Sequence, residues 1–340
     1  MYEKITLCRD SPLWRVSRNR CIMHRKYPED YRMGNAPFDV VVVGRACVDH
    51  LCVVDAFPAE DAKVPFSLRI VEGGGQGATA ACCAARLGGR VAYVGCVGDD
   101  GEGAFCLQRL HACGVDTSHV RVIPGGHTPM AYVFITAPTG RRTIIYEPGT
   151  LPAVEYDEGL AGLLAGAKAV LLGPQATNLA IHLRGLGGLP PIVYDCERSR
   201  PGLEEMMAAA DYFVPPSAFL HRGELPIEGS SESEKIISLS GMVCGRLIVT
   251  DGEHGAVYLD GDALVRVPVP PVGVKDTTGA GDNFHGAFAL ALSRGFGLAE
   301  AVRFSVAVAS LSCREYGGRA GIPDEGEALE AMRGLAPVEL

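Results

Sequence analysis

Several protein classes leave no mark on this sequence. Nowhere do its 340 residues hold an apolar run of about 18, the length a membrane-spanning helix needs. The opening segment, MYEKITLCRDSPLWRVSRNR, lacks the apolar core of a signal peptide. Twelve cysteines are scattered along the chain, with no CxxC pair and no Cys/His cluster at zinc spacing. The expectation is reduced, buried thiols in a cytoplasmic protein. A positive excess is missing too. The formal charge of −9 disfavours nucleic acid and anionic membrane as partners, so any anionic ligand must be held by a local site. There is no internal repeat.

What is present suits a large buried core, since 47% of the residues are hydrophobic. Residues 1–37 stand apart as an N-terminal extension. Residues 1–36 carry eight Lys and Arg against four Asp and Glu and show no periodicity, which reads as disordered or loosely docked chain. The folded domain is placed at 38–335. FDVVVVG (38–44) is a β-branched run of the buried parallel type. GATAACCAARLGG (77–89) reads as a buried helix closed by glycines. RVAYVGCVG (90–98) is a strand and DGEGAFCLQRLHACGV (100–115) an amphipathic helix. Residues 129–149 form two alternating runs joined at PTG, a hairpin, and residues 51–70 alternate loosely. The βα texture then returns, and the chain from Gly281 onward is mostly helical. These elements predict an α/β three-layer domain with a mostly parallel sheet, plus a small β appendage.

The stretch DTTGAGDNFHGAF (276–288) carries the chemistry. Gly279, Ala280 and Gly281 let the backbone approach a ligand, and they precede a helix. Unpaired N–H groups and the helix dipole make such a start an anion cradle. Asp282 can cap that helix, bind a metal, or take a proton from a hydroxyl lying beside the cradled phosphate.

DTTGAGD resembles the signature of the ribokinase-like (PfkB) carbohydrate kinases. The segment EGGGQGATAACCAARLGGRVAYVGCVGDDGEGAFCLQRLHACGV and the stretch VTDGEHGA (249–256) are similar to two further signatures of that family, in the family's order. The resemblance covers residues 38 to about 324. It implies a ribokinase-like αβα sandwich with a β lid formed by about 51–70 and 129–149. It makes Asp282 the general base, and the backbone of Gly279, Ala280, Gly281 and Asp282 the anion hole. Thr250, Gly252, Gly255 and Thr277 would bind ATP, with Mg²⁺ neutralising its phosphates. Asp49, Lys63, Gly74, Gly75, Gln76, Thr79 and Arg142 would bind the sugar. Asp276 and Thr278 match part of a monovalent-cation (K⁺) site, and Glu197 could offer a carboxylate to Mg²⁺. Lids in the family often form the contact of a homodimer.

The sequence departs from the family in places. Thr79 stands where many members have Asn. Pro216, Ser217, Ala218 and Phe219 replace an Asn-x-x-Glu motif. Several stretches, GGRAGIPD (317–324) among them, look like sulfofructose kinases, and the 129–149 hairpin looks like ketohexokinases. Tyr146 and Gln175 stand where sulfofructose kinases carry Asn and Arg. The resemblance therefore implies ATP-dependent phosphorylation of a primary hydroxyl on a fructose-like ketohexose, with its C6 substituent open. A nucleoside kinase and a non-catalytic sugar- or nucleotide-binding regulator are the alternatives.

Overall fold

The computed structural model describes residues 37–183 and 188–340. The N-terminal extension expected for residues 1–37 lies, but for Pro37, outside them. Short helical turns aside, the first half runs β1 (Phe38–Val43), β2 (Cys47–Val54), β3 (Leu68–Gly74), α1 (Gln76–Arg86), β4 (Val91–Gly98), α2 (Gly101–Ala112), β5 (Val120–Ile123), β6 (Met130–Thr136) and β7 (Arg141–Glu147). Then follow α3 (Glu158–Ala165), β8 (Ala167–Leu172), β9 (Ile192–Asp195), α4 (Leu203–Ala209), β10 (Tyr212–Val214), α5 (Glu232–Ser240) and β11 (Arg246–Thr250). The chain ends with β12 (Ala256–Asp260), β13 (Ala263–Val267), α6 (Ala280–Ser293), α7 (Leu298–Ser312), α8 (Glu325–Arg333) and β14 (Val338–Glu339).

Ten strands form the main sheet in the order β14-β13-β12-β11-β10-β9-β8-β1-β4-β5. Pairing is parallel from β11 to β5 and antiparallel from β11 out to β14. The four valines of β1 explain why a strand so uniformly apolar sits near the middle. Val40 and Val42 join the core under α1, α6 and α7, while Val41 and Val43 join the core under α3 and α4. Both faces are covered, so both must be apolar. The last strand, β14, extends the sheet past residue 335, beyond the expected end of the domain.

Small residues bring the helices close. A side chain on Gly286 in α6 would meet the Ala80 carbonyl of α1 at 2.3 Å, and one on Gly44 would meet Gly77 at 2.8 Å. This packing fixes the start of α6 beside the start of α1, beyond the carboxyl ends of the parallel strands, where open α/β sheets hold their ligands.

A second sheet, in the order β3-β2-β6-β7, is separate from the first. Its inner face buries Leu51, Val53, Val133 and Ile135. Strands occupy 47–54 and 68–74 rather than the whole of 51–70, and 55–67 is an exposed connection. Nine of the described cysteines are free thiols, six of them buried.

Candidate active site

The turn at 276–282 is held in shape by its own polar groups. Asp276 is fully buried. One carboxylate oxygen accepts from the Thr278 N–H (2.8 Å) and hydroxyl (2.7 Å), the other from the Gly317 N–H (2.9 Å). A monovalent cation at Asp276 and Thr278 would have to share a carboxylate already engaged by three donors. Gly279 has φ 72°, and a Cβ there would sit 2.8 Å from the Gly318 Cα, so only glycine fits this position. Asn283 ties the same loop down by donating to the Gly318 carbonyl at 2.9 Å.

Of the four N–H groups expected to form the anion hole, that of Ala280 donates to the Thr277 carbonyl at 3.3 Å. The N–H groups of Gly279, Gly281 and Asp282 find no acceptor among the described residues. A side chain on Gly281 would meet nothing within 4 Å, so the cradle opens to space. Three donors at a helix start fit a phosphate.

Asp282 is partly exposed at this opening, and no hydrogen bond from the described residues occupies its carboxyl group. Burial pushes its pKa up to about 7, the negative charge of Asp195 adds to that, and His285 and Arg142 pull it down. Beneath it, His285 lies fully inside the protein, 3.7 Å from Asp195 and 3.3 Å from the Val214 carbonyl. Burial lowers the His285 pKa and raises that of Asp195 to about 7. A carboxyl group with a pKa near 7 can hold or release a proton at physiological pH, which general base catalysis requires.

Arg142 reaches across from β7. Its guanidinium donates to the Thr277 hydroxyl at 2.9 Å, and Thr277 in turn donates to the Gly140 carbonyl at 3.2 Å. The small sheet is thereby tied to the 276–282 turn.

The floor facing this loop holds the predicted sugar-binding groups. Asp49 lies against Gly74, where a Cβ would fall 2.0 Å from its carboxylate. The Cys47 thiol donates to Asp49 at 3.1 Å. Burial raises the Asp49 pKa, against the Cys47 hydrogen bond and the charge of Arg319. Gly75, at φ 88°, starts α1. Gln76 accepts from Gln175 and donates to Glu197, both at 3.3 Å, and Glu197 also accepts from Arg198 at 3.0 Å. Thr79 is buried, with its hydroxyl oxygen accepting from Arg319 at 3.3 Å. It supports the floor from below. Tyr146 pairs with Ala131, which pairs with Asp49, so Tyr146 stands on the same face of the small sheet as Asp49. Lys63 is exposed on the 55–67 connection.

The nucleotide-side residues are separate from this floor. Thr250 ends β11, and Gly252 (φ 52°) and Gly255 (φ 90°) shape the turn into β12. A side chain on Gly255 would collide with the Val267 carbonyl at 1.9 Å. Where the family carries a glutamate, Phe219 is buried against Phe213, so this position offers no carboxylate. Among the described residues, no three His, Cys, Asp or Glu side chains gather to hold a metal ion. A Mg²⁺ here would ride chiefly on nucleotide phosphates, with Glu197 as the available carboxylate.

Arg319 is the residue of this candidate site least visible in the sequence. It is buried, donates to the Gly74 carbonyl at 3.0 Å and to Thr79 at 3.3 Å, and has Glu72 as a charge neighbour. Gly317, Gly318 and Arg319 together brace Asp276, Gly279 and the sugar floor. Asp195 and His285 were likewise unmarked. The only sequence signal was a charged residue inside an apolar, glycine-rich stretch.

Comparison with known proteins agrees with this geometry. Residues 38–325 match the model of the pfkB family carbohydrate kinases. The chain is 30% identical to the ribokinase of Bacillus subtilis (strain 168) over 304 residues, covering 86% of this chain and 99% of that protein. It is 28% identical over 301 residues to a nucleoside kinase of Methanothermobacter thermautotrophicus, covering 86% of this chain and 94% of that one. The structure of Arabidopsis thaliana ribokinase complexed with ribose and ATP superposes with a TM-score of 0.74 at 26% identity, over 88% of this chain and 99% of that one. The fold and site define a ribokinase-like α/β kinase, and the chain belongs to the pfkB carbohydrate kinase family. No helix among the described residues is long and apolar enough to cross a membrane.

Proposed function

We propose that the protein transfers the terminal phosphoryl group of ATP to a hydroxyl of a small sugar, with Asp282 as general base. The observation that carries this reading is Asp282 itself, a carboxyl group with a pKa raised to about 7 and no hydrogen-bond partner among the described residues, beside three unpaired N–H groups. The acceptor lies on Asp49, Gly74, Gly75 and Gln76. Its hydroxyl gives a proton to Asp282 as the oxygen–phosphorus bond forms, and ADP leaves. Mg²⁺ supplies charge neutralisation to the phosphates when bound. The three N–H groups and Arg142 hold the negative charge of the group in transfer. Arg142 also ties the small sheet over the site and excludes water, a competing acceptor.

The acceptor is a ketohexose of the fructose type. The support is the likeness of the 129–149 hairpin and of 317–324 to kinases of that class. One observation favours a second reading. Tyr146 is 59% exposed on the Asp49 side of the small sheet, beside Ile144, where an aromatic and an aliphatic side chain suit a nucleoside base. ADP release measured across fructose, an anionic fructose derivative, ribose and adenosine separates the two. A preference for fructose-type acceptors supports the first reading, and a preference for adenosine overturns it in favour of the second.

The outer face of the small sheet suits a second copy of the chain. Val71, His50, Tyr132 and Ile145 form one cross-strand row, with Val71, Tyr132 and Ile145 exposed and Tyr132 stacked on His50 at 5.2 Å. Such an apolar row marks an interaction surface. The homodimer is tested by sedimentation of Tyr132→Lys/Ile145→Lys: wild type sediments as a dimer and the variant as a monomer, and an unchanged species refutes this interface.

A further inference from the structure

Outside the transfer site, a cavity of about 350 Å³ opens beyond the carboxyl ends of β1, β4 and β8. That volume is at the small end of ligand-binding pockets. One wall is the end of β1 at Val43 with Cys96 of β4. Another is the segment from Leu151 that returns from β7 to the main sheet. Asn178 donates to the Val154 carbonyl at 2.8 Å and fastens that segment in place.

The charge of the lining is one-sided. Arg45 and Arg200 both line the cavity, and no aspartate or glutamate does. Neither arginine side chain has a hydrogen bond or ion pair among the described residues, and each is only partly exposed. The Arg200 Nε and the Gln175 Oε1 are buried with no hydrogen-bond partner among the described residues. A guanidinium stays charged at every physiological pH, so withdrawing it from water unpaired is unfavourable. An oxyanion offsets that cost and matches the guanidinium fork. The cavity is also one side chain away from the acceptor floor, because Gln175 donates to Gln76 at 3.3 Å.

We propose that this cavity binds a small oxyanion, the phosphate or carboxylate group of a ligand, between Arg45 and Arg200. The group belongs either to the far end of the acceptor or to a separate molecule, and only that choice of source rests on the kinase reading.

The test is calorimetric titration of inorganic phosphate into the full chain, as wild type, Arg45→Gln/Arg200→Gln and the conservative Arg45→Lys. The expected result is a binding event in wild type that weakens at least about tenfold in the double variant and less in Arg45→Lys, with melting curves unchanged. Equal affinity and stoichiometry in wild type and the double variant overturn the proposal, as does the absence of any phosphate binding. Steady-state kinetics then assign the source. If the acceptor carries the group, the double variant raises KM at least about tenfold for an anionic fructose derivative and leaves kcat and neutral fructose unchanged. If a separate molecule carries it, added phosphate changes the KM for neutral fructose in wild type and not in the double variant. A chain that phosphorylates no sugar contradicts the kinase reading, while the phosphate isotherm still decides the cavity.

Discussion

Replacing Arg142 by glutamine isolates one electrostatic influence on the proposed base. Burial and Asp195 hold the Asp282 pKa at about 7, and Arg142 is one of two groups that keep it from rising further. Removing a charge that acts across a partly wet cleft shifts such a pKa by about half a unit to one unit, upward in this case. A rise of one unit lowers the ionised fraction of Asp282 at pH 7 from about one half to about one tenth. At about pH 9 both proteins are nearly fully ionised, so the loss due to the base vanishes there. What persists is the loss of Arg142 from the phosphate and from its 2.9 Å bond to Thr277. The ratio of wild-type to variant kcat/KM is therefore about two- to fivefold larger at pH 7 than at pH 9. ADP release at saturating ATP and Mg²⁺, with acceptor varied between about pH 5.5 and 9.5, measures it. A ratio independent of pH, or an inflection that moves to lower pH, refutes the reasoning.

Two other predictions concern stability and the floor. The Asp282 carboxyl is raised from 3.8 to about 7 in the folded protein, so its neutral form is the one the fold favours. Its contribution is present below the unfolded pKa and is lost as pH rises through about 7. Asp282→Asn should match wild type in melting temperature near pH 4 and exceed it by a few degrees at pH 8; a variant less stable at pH 8 contradicts the burial argument. Arg319→Met leaves Glu72 and Asp49 without their buried counter-charge, at a cost of about 3–5 kcal/mol. Arg319→Lys should recover part of that stability and show a raised acceptor KM with kcat largely kept, whereas an unchanged KM would reduce Arg319 to a structural brace.

Much of the fold was legible because its signals are local. The valine run of β1, the glycine-closed helix α1 and the helix after Gly279 each declare themselves within about a dozen residues. The turn at 276–282 was legible for the same reason, as a glycine-shaped helix start with Asp282 in its first turn. Arg319 was not, because its partners Thr79 and Gly74 lie 240 and 245 residues away, and no local pattern reports such a contact. Asp195 and His285 were missed likewise, since their meeting depends on β9 ending beneath α6. The Ala280 N–H illustrates a finer limit: sequence marks a helix start, but only the turn geometry shows that the Thr277 carbonyl takes one donor. Lys63 is expected at the site only through the resemblance to the family's lid lysine, and it lies on the exposed 55–67 connection.

The most direct test of the central claim is ADP release dependent on a sugar acceptor, compared between wild type and Asp282→Asn at saturating ATP and Mg²⁺. The account predicts acceptor-dependent turnover in wild type and a loss of about 10²–10⁴-fold in the variant, which stays folded and still binds ATP. Near-full turnover by Asp282→Asn would contradict it.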